Sequence, residues 1–305
     1  MSYESAIKHL YFFDDLSYHI KRIAGNKGFD RQKTDNMLTV VWDYLLQAFH
    51  CIDHSNQDFV LVNWEHACSE LSFSLYCNRK KFDIIVSQGC NGEYALHDLN
   101  QYHYNRFGYY LSPKLLNVRI AHILKDPGNA FYSEFVLGVS KGADLDEQCK
   151  SVAKTINESF HKNKALISLA VFDDCIQTGE GTKAVTEKIL EYVEDGVKLE
   201  VNTIGFIGCE STMLKFKEYG WEIAVGTLLR GKSYPEAWEW DIYFLKDLFL
   251  DNAVRFTNNT SLPYYKSTGW FENIFPRSPQ KAAECFDKIR SFLINEEIYD
   301  GLINL

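Results

Sequence analysis

The stretch from Ala165 to Thr182 constrains this chain more than any other. Its apolar run, Leu166 to Phe172, does not alternate with polar residues, which suits a parallel strand buried on both faces. The run is too short for a buried helix. Two adjacent acids follow, Asp173 and Asp174, and then a small-residue loop, Thr178-Gly179-Glu180-Gly181-Thr182. From Thr182 to Tyr192 the residues Val185, Ile189 and Tyr192 fall at helical spacing, with Leu190 widening the face. Strand, acids, glycine loop and helix together suit a phosphorylated ligand. Backbone N–H groups at a helix start point towards an anion, and glycines let it approach. Paired carboxylates at a strand end accept hydrogen bonds from vicinal sugar hydroxyls or orient a hydrated magnesium ion.

Other segments repeat the alternation of strand and helix. Phe82 to Ser87 reads as a strand, Gln88 to Glu93 as a loop, and Tyr94 to Tyr104 as a helix. Phe135 to Val139 is the next strand, with Asp144 to His161 as its crossover helix. Leu199 to Ile207 is another buried strand, which predicts a right-handed βαβ pair with 166–172. A helix over 212–219 ends at Gly220, and Trp221 to Val225 reads as a short edge strand. The pattern predicts a mostly parallel, three-layer α/β sheet, with ligands at the strands' carboxyl ends. Both candidate loops fall there.

Residues 3–24 carry Ile7, Leu10, Tyr11, Leu16 and Ile20 at roughly helical intervals, and Gln32 to Ile52 carry a second helical pattern. These predict an α-helical N-terminal appendage over residues 1–57, outside any sheet, ahead of an α/β domain over 58–305. Segments 59–63 and 71–76 fit strand or helix equally, and a helix from Pro279 to Ile294 closes the chain.

At 46% hydrophobic and 15% aromatic residues, the 305-residue chain has ample material for a core. A net charge of −9 argues against duplex nucleic acid as the main partner, because duplex binding needs phosphate-neutralising Lys and Arg. The N-terminus lacks the pattern of a signal peptide, and no apolar run approaches bilayer length, so the expectation is a soluble cytoplasmic protein. Eight scattered cysteines without a Cys-x-x-Cys pair read as small buried hydrophobes in a reducing compartment.

The 165–182 segment resembles the PRPP (phosphoribosyl diphosphate) signature of type I phosphoribosyltransferases. That signature is an apolar strand, two acids, three residues, then Thr-Gly and another small or hydroxyl residue. The resemblance implies that Asp173 and Asp174 hold the ribose hydroxyls and that the loop of Thr178, Gly179, Glu180, Gly181 and Thr182 wraps the 5-phosphate. Glu180 departs from the pattern, standing where the family has Gly or Thr. Such proteins also have a pyrophosphate-binding loop after an earlier strand; Ser87, Gln88, Gly89 and Gly92 match its place, without the usual basic residue. Magnesium, carried by the bound diphosphate, is the implied cofactor. Towards the C-terminus, Asn258-Asn259-Thr260-x-Leu262-Pro263, Trp270 and Phe275-Pro276-Arg277 are similar to the closing segment of phosphoribosyltransferase-like effectors of bacterial conflict systems, some encoded beside retron reverse transcriptases. This extends the resemblance over residues 80–280 and implies an anti-phage role.

Three functions follow for comparison. The first is group transfer at the ribose C1, with PRPP or a nucleotide as ligand. The second is an inactive module that senses a nucleotide or binds a protein or ribonucleoprotein partner, which Glu180 and the missing basic residue favour. Either leaves room for a homo-oligomer. The third is a P-loop NTPase, because Gly226 to Ser233 fits G-x-x-x-x-G-K-S, with Lys232 as its lysine. Leu228 and Leu229 inside the motif, and Pro235 beyond it, are poor context for a phosphate loop. His50 and His54 stand at helical spacing without a second ligand pair, and Asn78-Arg79-Lys80-Lys81 reads as a solvated turn.

Overall fold

The computed structural model describes residues 9–124, 135–139, 143–162, 165–230, 240–251, 254–256, 261–266 and 270–303. The N-terminal part gives β1 (His9–Asp14), α1 (Leu16–Asn26), α2 (Arg31–Phe49) and β2 (Asp58–Asn63). Next come α3 (Trp64–Cys77), β3 (Ile84–Gln88), α4 (Gly89–Phe107), β4 (Leu115–Val118), β5 (Ile120–Leu124) and β6 (Phe135–Val139). The alternation continues with α5 (Leu145–His161), β7 (Ile167–Ile176), α6 (Glu180–Leu190), β8 (Leu199–Cys209), α7 (Glu210–Glu218) and β9 (Glu222–Leu229). The chain closes through β10 (Trp240–Phe244), β11 (Val254–Phe256), β12 (Ser261–Leu262), α8 (Trp270–Ile274), α9 (Pro279–Asn295) and α10 (Tyr299–Ile303).

Two compact units result. One comprises Glu65–Ala121 and Leu137–Tyr234; the other comprises Met1–Trp64, His122–Val136 and Pro235–Leu305. The first is built on a five-stranded parallel sheet in the order β4-β3-β7-β8-β9. On one face, Ile84, Val86, Ile167 and Leu169 of the sheet pack with Val152 and Ile156 of α5 and Val185 and Ile189 of α6. On the other, α4 approaches closely enough that a side chain at Gly92 would touch the Phe172 ring. Phe172 meets Phe206 of β8 edge-on at 5.3 Å. Helices on both faces explain why β8 is buried without a break from Asn202 to Cys209. The α/β class with a parallel sheet is as the apolar, non-alternating runs predict. Asp144 caps α5 by accepting the Glu147 amide at 2.7 Å.

The other unit overturns the expected helical appendage. Residues His9–Asp14 are a strand, the middle one of a parallel sheet ordered β10-β1-β2. Leu10, Phe12 and Phe13 are wholly buried there, and pairing on both sides outweighs the helical spacing of Leu10 and Leu16. Helices α1 and α2 follow as expected. Their apolar faces share one core with α8 and α9, joining Leu16, Met37 and Leu45 to Ile274, Phe286 and Leu293. The boundary expected at residue 57 therefore does not divide this unit, whose core takes in both ends of the chain. Segment 59–63 is strand and 71–76 is helix, settling both open readings. Among the described residues no helix is long and apolar enough to cross a membrane.

Candidate functional site

The five-stranded sheet reverses its growth between β3 and β7. After β3 the chain crosses outward to β4, and after β7 it crosses the other way to β8 and then β9. Open α/β sheets hold ligands at the carboxyl ends of such neighbours. The registers shape this crevice. Ser87 and Phe172 are the last pair between β3 and β7, whereas β7 runs on beside β8 through Cys175 with Ile207 and Ile176 with Gly208. Asp173 to Ile176 thus project beyond β3 with a strand neighbour on one side. The strand expected to stop at Phe172 instead carries both acids, because β8 continues to pair with it.

Helix α6 then starts at Glu180 after a turn that requires Gly179. Its φ is +74°, and a Cβ there would stand 2.5 Å from Phe216 Cζ and 2.6 Å from Thr212 Cγ2. Thr212 donates to the Gln177 carbonyl at 2.5 Å, fastening the turn to α7. Thr178 Oγ1 accepts the Glu180 amide at 3.4 Å, and the Lys183 amide closes on the Gly179 carbonyl at 2.8 Å. The amides of Gly181 and Thr182 meet no acceptor among the described residues, as at any helix start that awaits an anion. Glu180 is exposed, with its charge in solvent.

One hydrogen-bond chain joins the two candidate segments. Gln88 Nε2 donates to Thr182 Oγ1 at 2.9 Å, and Thr182 Oγ1 donates to Asp173 Oδ2 at 2.9 Å. Asp173 Oδ1 accepts the Cys175 amide at 3.4 Å. Asp173 and Asp174 are both half-buried. Gln88 is 5% exposed, and its Oε1 is buried without a donor among the described residues. A buried acceptor left this way costs about 1–3 kcal/mol until a donor arrives.

The segment 88–93, expected as a loop, holds the last residue of β3, Gln88, and the start of α4. Gly89, at φ +67°, turns the chain directly from strand into helix. Ser87 is buried, and its hydroxyl lies 3.2 Å from the Leu116 carbonyl and 3.0 Å from Asn117 Oδ1, committed to the neighbouring strand. A cation from beyond the next strand pairs with this segment. Arg119, directly after β4, pairs with Glu93 Oε2 at 3.1 Å, and Glu93 also accepts Asn117 Nδ2 at 3.1 Å. The 26-residue separation hides that pair from any local motif; an arginine at the end of an apolar strand was its one available signal. Lys183, on the first turns of α6, lies 4.8 Å over the Tyr219 ring. Its hydrogen bond with Tyr219 and the charge of Glu187 raise its pKa and keep it cationic.

Gly226 to Leu229 belong to β9, paired with β8 through Thr227 with Ile207 and Leu229 with Cys209. Backbone engaged in a ladder cannot cradle a phosphate, which removes the P-loop geometry; Lys232 and Ser233 lie outside the described residues. So do Asn258, Asn259 and Thr260, while Phe275 is core. Among the described residues no three His, Cys, Asp or Glu side chains group as a metal site. Asp173 and Asp174 nonetheless supply the hard oxygen donors that suit magnesium held mainly by a ligand's diphosphate and by water.

No protein-family model and no curated protein matches the sequence. Several solved structures overlap part of the fold. A hypothetical protein from Neisseria gonorrhoeae with bound ppGpp aligns with 60% of this chain and 84% of its own, at 10% identity and a TM-score of 0.36. The purine phosphoribosyltransferase from Pyrococcus horikoshii Ot3 aligns with 59% of this chain and 86% of its own, at 12% identity and a TM-score of 0.29. For the orotate phosphoribosyltransferase from Aeropyrum pernix the figures are 54%, 71%, 12% and 0.29. The α/β class stands independently on the strand order and parallel registers above.

Proposed function

We propose that the five-stranded unit binds a phosphorylated ribose, PRPP or a nucleotide 5-phosphate, at the carboxyl ends of β3 and β7, as a phosphoribosyltransferase-like protein. The observation that carries this reading is the Gln88–Thr182–Asp173 hydrogen-bond chain, which joins both candidate segments where the sheet reverses. Asp173 and Asp174 accept the ribose hydroxyls, the amides of Gly181 and Thr182 receive the 5-phosphate, and Gln88 Oε1 awaits a donor. Magnesium, when bound with a diphosphate, neutralises the leaving group. The protein's own contribution to transfer at C1 is then positioning and electrostatic stabilisation. The C-terminal resemblance to conflict-system effectors suggests an anti-phage role in the cytoplasm with a protein or ribonucleoprotein partner.

Calorimetry with PRPP or a nucleoside monophosphate, in the presence of magnesium, tests the assignment. Asp173→Asn combined with Asp174→Asn should weaken binding about a hundredfold or more, since each charged hydrogen bond contributes about 1.5–3 kcal/mol. Circular dichroism should show the fold intact. Unchanged affinity removes the assignment. A second reading, binding without transfer, is favoured by α4 starting at Gly89, which leaves no loop to wrap a diphosphate. Pyrophosphate release with a panel of bases decides between them: release identifies a transferase, and binding alone a sensor.

A further inference from the structure

The opposite, amino-terminal edge of the five-stranded sheet carries a surface unrelated to the crevice. There α3 ends at Cys77 and the chain turns through Arg79 and Lys81 into β3; α4 ends at Phe107 and turns through Tyr110 into β4. The Phe82 amide donates to the Leu111 carbonyl at 2.9 Å, holding the two turns together. Tyr76 stacks on Phe107 with centroids 4.0 Å apart and planes 7° from parallel, and Tyr104 stacks on Tyr110 at 4.4 Å and 12°. Tyr76, Tyr104 and Tyr110 are 42–45% exposed, so each stack leaves part of its ring surface to water.

Arg79 and Lys81 lie on the first of these turns, and Arg106 lies on the last turn of α4. All three are exposed, and none pairs with a carboxylate among the described residues. Lys81 Nζ stands 5.9 Å from the Tyr109 centroid. Lys80 differs, being neutralised by Glu200 and Glu222. Three uncompensated cations on the edge that carries two partly exposed ring stacks are a local exception in a chain of net charge −9. Cations alone would suit any anion. Partly exposed flat rings on the same edge suit unpaired bases, whose faces stack while the cations follow the phosphates. A duplex hides its base faces and would use only the cations.

We propose that this edge binds single-stranded nucleic acid. β3 separates it from the crevice by about 16 Å, five residues at the strand rise, so variants here leave Asp173 and Thr182 untouched. Fluorescence anisotropy with a labelled oligouridylate of about 12 nucleotides tests it, against the same length of duplex and against polyglutamate as competitor. Three phosphate contacts predict a slope of about −2 for log affinity against log salt. Arg79→Asn with Lys81→Glu and Arg106→Glu should weaken binding about tenfold or more and flatten that slope. Asn is chosen because Arg79 has φ +52°, which Asn tolerates. Tyr104→Ala with Tyr110→Ala should cost about tenfold, and Tyr110→Trp should retain binding. Thermal unfolding confirms that these exposed substitutions keep the fold. No binding of the single strand, equal binding by the duplex, displacement by polyglutamate at equal charge, or unchanged affinity in both sets of variants would each overturn the proposal.

Discussion

Phe-Asp-Asp occurs twice in this chain, as Phe13-Asp14-Asp15 and Phe172-Asp173-Asp174, and each copy lies at the end region of the middle strand of a parallel sheet. Their fates differ. Asp15 is wholly buried and Asp14 is 5% exposed, and α1 begins at the next residue, Leu16. Asp14 Oδ1 accepts the Ser17 amide at 3.0 Å, while Asp15 Oδ1 accepts the Lys246 amide at 3.2 Å and its Oδ2 lies 3.7 Å from Lys246 Nζ. These acids serve their own unit. In the other copy, Cys175 to Gly179 separate the acids from α6, both residues stay half-buried with Asp174 Oδ2 itself buried, and the helix keeps spare amides. An acid pair after an apolar strand is therefore ambiguous by itself. The turn that follows decides whether it caps a helix or faces a ligand.

The largest expected effect attacks that turn. Gly179→Ala would force a side chain into φ +74° and within 2.5 Å of Phe216 and 2.6 Å of Thr212. Strain and overpacking together should destabilise the unit by about 3 kcal/mol or more in urea unfolding, and abolish ligand binding. A loss below about 1 kcal/mol, with binding kept, would mean that the turn relaxes freely and does not distinguish the two copies.

The buried copy makes its own prediction. Burial pushes the Asp15 carboxyl up to about 7, only partly offset by Lys246. Burial, then the charges of Lys246 and Arg22, push His19 down to about 2. Unfolded, the two groups titrate near 3.9 and 6.5. Between pH 4 and 7 the folded chain holds the extra Asp15 proton, so this group makes stability fall as pH rises. Between pH 2 and 6.5 the unfolded chain holds the extra His19 proton, so that group makes stability rise with pH. Across about pH 4–6.5 the slopes oppose, each at most about 1.4 kcal/mol per pH unit. Asp15→Asn should expose the rising slope and His19→Leu the falling one, read as unfolding free energy against pH. Identical profiles in both variants would break the assignment, and Asp173→Asn should change neither slope.

Much of the five-stranded unit was legible, because a buried parallel strand declares itself as an uninterrupted apolar run and Asp144 and Glu147 mark a helix start. The same locality explains the misses. His9–Asp14 is fixed as a strand by pairing with Trp240–Phe244, far along the chain, and no periodicity within the first 24 residues encodes that partner. Gly89 and Gly92 suggested a loop, yet Gly89 is the turn into α4 and Gly92 lies within that helix, packed where a Cβ would meet Ser87 and Phe172 at ordinary contact distance. At the crevice, Asp173 and Thr182 were readable as one motif, but their link to Gln88 and the Arg119–Glu93 pair depend on strand order. Strand order is a property of the sheet rather than of any single segment.

The smallest expected effect concerns Glu180. It occupies the first turn of α6, where a negative charge gains about 0.3–1 kcal/mol from the helix N-terminus, whereas α1 carries no acid in its first turn and draws on Asp14 instead. A phosphate seated on the Gly181 and Thr182 amides would compete with that same charge. Glu180→Gln should therefore lower stability by a few tenths of a kcal/mol and raise affinity for a phosphorylated ligand about two- to fivefold at low salt. Both changes should shrink together as salt screens the exposed charge. If stability drops and affinity does not rise, the anion does not lie at the start of α6. The two Phe-Asp-Asp copies would then differ in burial without differing in purpose.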